Sequence, residues 1–118
     1  MSLDAPSLIA QAMQRGETAG LAALDARDAV VYAISEAEVT CDLEGIDSLL
    51  DRYGIEGLGV FAHAYAQVRA TAIAESLRAL MAAPRPPADD LLARANDLIT
   101  RREGYSYGDI LAFVARGD

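Results

Sequence analysis

A chain of 118 residues, 53% of them hydrophobic, suits one self-sufficient domain and excludes both a two-domain protein and a disordered tail. Its net charge of −8, with ten arginines and no lysine, argues against nucleic-acid binding through a basic surface. No apolar run approaches the ~20 residues of a membrane span, the start lacks a basic-then-apolar leader, and the lone Cys41 rules out a disulfide framework, so a cytoplasmic protein is expected.

Asp4 or Ser7 caps a first helix in which Leu8, Ile9, Ala12 and Met13 form one apolar face and Gly16 marks the end. A second helix starts near Thr18 to Leu21 and runs to about Cys41, its inward stripe being Val30, Val31, Ile34, Ala37 and Cys41. Asp42 suits the N-cap of a third helix ending at Gly54, with Ile46, Leu49, Leu50 and Tyr53 at helical spacing. Gly57 and Gly59 read as a junction before a fourth helix that turns Leu58, Phe61, Ala62 and Tyr65 inward. The apolar phase shifts at Arg69-Ala70-Thr71, which predicts a break before a fifth helix carrying Ile73, Leu77, Leu80 and Met81. Three prolines make residues 83–87 a linker, since each fixes φ and removes an N–H donor. Asp89 and Asp90 suit the first turn of a sixth helix that turns Leu91, Leu92, Ala95, Leu98 and Ile99 inward and stops at Gly104. Ser106 and Asp109 form a capping box for a last helix with Ile110, Phe113 and Val114 inside. The reading is all-α: residues 1–118 as a compact single-domain bundle of six or seven short helices.

Catalytic signatures are missing from this pattern. His63, the only histidine, lies inside a helix, and Cys41 sits among acids that disfavour a thiolate. One histidine and one cysteine are too few for a zinc site. The acids of residues 42–51 lack the order of an EF-hand loop, and a chain without lysine has no phosphate-binding P-loop. No enzyme activity, cofactor or metal is therefore expected. A weaker idea is a hydrolase or small-molecule binder with an internal pocket near Tyr53, Phe61, His63 and Tyr65.

The charge is the more informative feature. Residues 17–56 carry ten acids and only Arg27 and Arg52, so this third of the chain holds the whole net charge. Glu44, Asp47 and Asp51 fall on one face of the third helix, and Glu38 and Asp42 are paired at the end of the second. Like charges so spaced destabilise a helix by a few tenths of a kcal/mol per pair, while the row they form can attract a basic groove. The candidate partner-binding face is Glu36, Glu38, Asp42, Glu44, Asp47, Asp51 and Glu56.

Residues Val31-Tyr32-Ala33-Ile34-Ser35-Glu36-Ala37-Glu38-Val39, Gly45-Ile46-Asp47-Ser48-Leu49-Leu50 and Tyr53-Gly54, with the later Ala64-Tyr65-Ala66-Gln67-Val68-Arg69-Ala70-Thr71-Ala72-Ile73-Ala74, carry a resemblance. Over about residues 25–82 they resemble a bacterial family of small all-helical proteins, mostly of unknown function, whose characterised member is an acidic DNA mimic that binds a transcriptional regulator. The chain departs from that pattern where Leu43-Glu44-Gly45 replaces Asn-Gly-Gly and where Arg69 replaces a glycine. The resemblance implies a helical fold and a non-enzymatic interaction protein whose acidic face docks on a basic DNA-binding protein. The alternative expectation is a helical assembly module, such as a homodimer, that works through an apolar face and leaves the acids solvated.

Overall fold

The computed structural model describes residues 4–84 and 87–116, which fold into a helical bundle 49 × 27 × 23 Å in extent. Six α-helices occur among them: α1 Ala5–Ala19, α2 Ala26–Leu43, α3 Ile46–Gln67, α4 Thr71–Ala82, α5 Asp89–Thr100 and α6 Tyr107–Ala115, with one 3-10 turn at Leu21–Ala23. The all-α expectation is met. Helix α2 lies at the centre, packed on α1, α3 and α5; α4 covers α3, and α6 closes against α1. The inward stripes merge into one core, in which Ile34, Leu49, Leu58, Phe61, Tyr65, Ile73, Leu77, Leu80 and Ile99 are all but inaccessible. Fully burying such side chains contributes ~1.5–3 kcal/mol each, more than propensity supplies to helices of this length.

Several boundaries differ from those expected. Helix α1 continues through Gly16 and stops at Gly20, where φ is +87°; α2 begins only at Ala26, with the Asp25 carboxylate accepting from the Asp28 N–H at 2.8 Å. Gly16 is buried in the α1–α2 contact, and a Cβ there would lie 2.2 Å from Cδ1 of Tyr32. Its role is close approach, not termination. The third and fourth predicted helices form α3, interrupted at Gly54, whose φ of +75° and ψ of 167° break the helical path where a stop was expected. Gly57 and Gly59 lie within the helix beyond that kink; the former leaves room for Tyr53, whose Cβ would be 2.8 Å from an added methyl.

Asp42 does not cap α3. It belongs to the last turn of α2, and the N-cap position falls to Gly45, which has no side chain to accept the first N–H groups. Asn96 of α5 does so instead, its Oδ1 accepting from Ile46 N–H at 2.9 Å across fifty residues of sequence. The break at residues 69–71 and the capping box at Ser106 and Asp109 are present as expected. Of the expected linker, residues 85 and 86 lie outside the described residues; Ala83 ends α4 and Pro87 leads into α5.

Helices α3 and α5 end in the same way. Ala70 N–H donates to Tyr65 C=O and Arg69 N–H to Ala66 C=O; Glu103 N–H donates to Leu98 C=O and Arg102 N–H to Ile99 C=O. These are Schellman closures, in which glycine is the favoured residue at the left-handed position. Here both positions are arginine, Arg69 at φ +66° and Arg102 at φ +52°. An L-residue in that conformation costs ~1–2 kcal/mol.

Replacing Gly16 by alanine tests the close approach. At a solvent-exposed helical position the change would stabilise; here it should destabilise by about 1–3 kcal/mol through overpacking against Tyr32, read from urea unfolding.

Candidate acidic interface

The seven carboxylates singled out in the sequence divide into two groups. Glu36, in the middle of α2, is half-buried and receives four hydrogen bonds. Thr40 Oγ1 and Arg52 Nη1 donate to Oε1 at 3.1 and 2.8 Å, and the Tyr32 and Tyr53 hydroxyls donate to Oε2 at 3.2 and 3.1 Å. The antiparallel α2–α3 pairing, set by the short connection at Glu44–Gly45, brings Arg52 and Tyr53 to this carboxylate. Burial, then the Glu36 charge, push the Tyr53 hydroxyl up to about 12 and raise Tyr32 as well, so both remain donors through neutral pH.

Two residues further along α2, on another side of the helix, Glu38 accepts from the Tyr105 hydroxyl in a short hydrogen bond and faces Arg102 Nε at 3.4 Å. Asp42, one turn on, takes a two-pronged contact from Arg102, with Nη1 and Nη2 at 2.9 and 2.8 Å. The guanidinium reaches these acids from the left-handed position that ends α5. That fork holds the Asp42 carboxyl below its ordinary 3.8 and raises the arginine in turn. Cys41 lies between them in the core, where burial and then the neighbouring Asp42 push its thiol up to about 12. It is a packing residue, without the electropositive surroundings of a reactive thiol.

The second group points outward. Asp47 and Asp51, one turn apart on α3, are exposed and have no basic partner within ion-pair distance among the described residues; Glu56, beyond the kink, is exposed in the same way. Glu44 is half exposed and only loosely tied to Arg52, at 3.5 Å. Ile46, Leu49 and Tyr53 occupy the inner side of the same helix. Asp89 joins this face: it lines a shallow cleft with Asp47, Leu92 and Asn96, of about 280 Å³. In the sequence Asp89 read only as a first-turn carboxylate, because the α3–α5 contact that places it beside Asp47 is tertiary. The exposed acidic face is therefore Asp47, Asp51 and Asp89, with Glu44 and Glu56 also exposed, while Glu36, Glu38 and the more accessible Asp42 serve chiefly to join helices.

The expected aromatic pocket does not assemble. Phe61 and Tyr65 are fully buried, His63 is exposed on the other side of α3, and Tyr53 meets Phe61 edge to face at 5.0 Å. Tyr53 lines an apolar cleft of about 540 Å³ with Leu21, Leu24 and Val60, and no carboxylate lines it. Among the described residues, no group of three or more histidine, cysteine or acidic side chains is placed to hold a metal ion, and no helix is long and apolar enough to cross a membrane.

The Asp42–Arg102 contact has a defined pH signature. A carboxylate depressed in the folded state adds stability above its unfolded value, 3.8, and loses it as pH falls through the folded value. Asp42→Asn should lower stability by about 1 kcal/mol or less above roughly pH 5, because the pair is partly solvated. The difference from wild type should shrink toward zero in stronger acid, as followed by urea unfolding across pH.

The chain matches no protein-family model, no curated protein and no solved structure, so the reading of this face rests on its own geometry.

Proposed function

We propose that this protein is a non-enzymatic interaction module whose acidic face on α3 docks onto a basic DNA-binding protein, occupying the surface that would otherwise take nucleic acid. The observation that carries the reading is the placement of Asp47 and Asp51, exposed, one helical turn apart and without an ion-pair partner among the described residues, with Asp89 beside Asp47. Carboxylates three or four residues apart on a helix have Cβ atoms ~5–6 Å apart, a spacing on the scale of successive phosphates along one DNA strand. The scaffold beneath is rigid: Asn96 caps the start of α3 and Leu49 anchors its inner side. An ordered row of like charges speeds encounter with a complementary surface and gives it orientation.

A second reading, assembly through an apolar face, rests on Val39 and Leu43. They lie one turn apart on α2 and are 52% and 78% exposed.

Capture from the source organism's lysate separates the two. Wild-type protein and an Asp47→Asn, Asp51→Asn, Asp89→Asn variant of unchanged circular dichroism are compared at low and moderate salt. A basic DNA-binding protein held by the wild type alone, and released by duplex DNA or by salt, is the expected outcome. Equal retention by both proteins contradicts the acidic-face reading and moves the interface to Val39 and Leu43.

A further inference from the structure

The two left-handed arginines differ in what offsets their backbone cost. Arg102 spends its guanidinium on Asp42 and Glu38, tying the end of α5 to α2. Arg69 occupies the equivalent position at the end of α3, is exposed, and has no carboxylate within ion-pair distance among the described residues. Glycine would close that helix without strain. A residue held in a disfavoured conformation with no ion-pair partner among the described residues points to a role outside the fold.

The surroundings say what that role is. Arg69 lines a cleft of about 320 Å³ between the end of α3 and the outer side of α6, together with Val68, Ala112, Phe113 and a second arginine, Arg116. Arg116 rests its guanidinium 5.5 Å from the Phe113 ring centroid and donates from Nη2 to Gln67 C=O at 3.4 Å, its one side-chain hydrogen bond among the described residues. Asp109, the one acid on the cleft wall among the described residues, accepts through Oδ2 from the Ser106 N–H and hydroxyl in the capping box. Along the chain, Gly57–Val68 holds no acidic residue. Glu56, the last acid of the strongly negative segment, lies thirteen residues of helix before Arg69, ~20 Å and more than two screening lengths at physiological salt.

From this geometry we infer that the Arg69–Arg116 cleft is a binding site for a small phosphate-bearing ligand. Two guanidiniums from separate elements outweigh the single Asp109 carboxylate, and their forked donors match a tetrahedral oxyanion. Phe113, Val68 and Ala112 supply an apolar wall for the organic part of a phosphomonoester. The site lies at the opposite end of α3 from Asp47 and is independent of the acidic-face reading.

Inorganic phosphate and phenyl phosphate are the probes, titrated at constant ionic strength against acetate, with thermal melting and backbone amide shifts as readouts. Saturable shifts confined to residues 67–69 and 112–116 are expected with both phosphates and not with acetate. Arg69→Gly should melt about 4 °C higher than wild type without ligand, because the left-handed strain is relieved. It should bind phosphate about tenfold more weakly or worse, as should Arg116→Gln, which keeps the backbone unchanged. Phosphate binding undiminished in both variants, shifts of equal size with acetate, or no saturable shift in the wild type would each overturn the assignment.

Discussion

Arginines neutralising the carboxylates of one central helix are the constraint on which this fold depends. Helix α2 contributes Val30, Val31, Ala33, Ile34, Ala37 and Cys41 to the core, yet along the same helix it carries Glu36, Glu38 and Asp42. Asp28, also on α2, is buried and meets Arg15 of α1 at 2.7 Å, and Glu36 and Glu38 are largely shielded; a desolvated carboxylate without partners would be strongly unfavourable. Arg52 arrives from α3 and Arg102 from the end of α5, and each meets two acids. Tyr32, Tyr53 and Tyr105 fill the remaining acceptor sites on Glu36 and Glu38 with hydroxyl donors that burial keeps protonated. The ion pairs therefore do more to fix which helices meet, and in what register, than to add net stability.

Seen from this network, the charge of residues 17–56 is less uniform than the sequence suggests. Acids facing α3 and α5 are consumed inside the molecule, and those on the far side of α3 remain for solvent or a partner. The same economy separates Arg102 from Arg69. Both close a helix from the left-handed region, but only Arg102 finds its counter-charge within the described chain. The molecule is thus acidic at the start of α3 and locally basic at its end, an arrangement that also complements the helix dipole.

Much of the architecture was legible locally. The apolar stripes of the second, fourth, fifth and last predicted helices are the buried faces observed, and the Ser106–Asp109 box and the break at Arg69–Thr71 stand where they were expected. Glycine was the chief source of error. Gly16 and Gly57 look like helix stops, but they are helical residues without a side chain because Tyr32 and Tyr53 pass too close for one. Gly20 and Gly54, at positive φ, are where the helical path does break. Asp42 carried a plausible cap signal, but an arginine sixty residues later claims it, and α3 borrows its cap from Asn96. Periodicity shows which residues share a face; it says nothing about which distant side chain will face them. For that reason the acidic stripe was visible in the sequence, whereas its division into paired and free carboxylates was not.

That division is tested most directly by comparing the unfolding free energies of two charge-matched variants in urea. Glu36→Gln, Glu38→Gln, Asp42→Asn removes the inward acids, and Asp47→Asn, Asp51→Asn, Glu56→Gln removes three outward ones. The first should lose about 2 kcal/mol or more, since Arg52, Arg102 and three tyrosine hydroxyls would be left with weakened partners. The second should stay within about 0.5 kcal/mol of wild type, because exposed carboxylates without counter-ions contribute little. Equal losses in the two variants, or a larger loss in the second, would contradict the account.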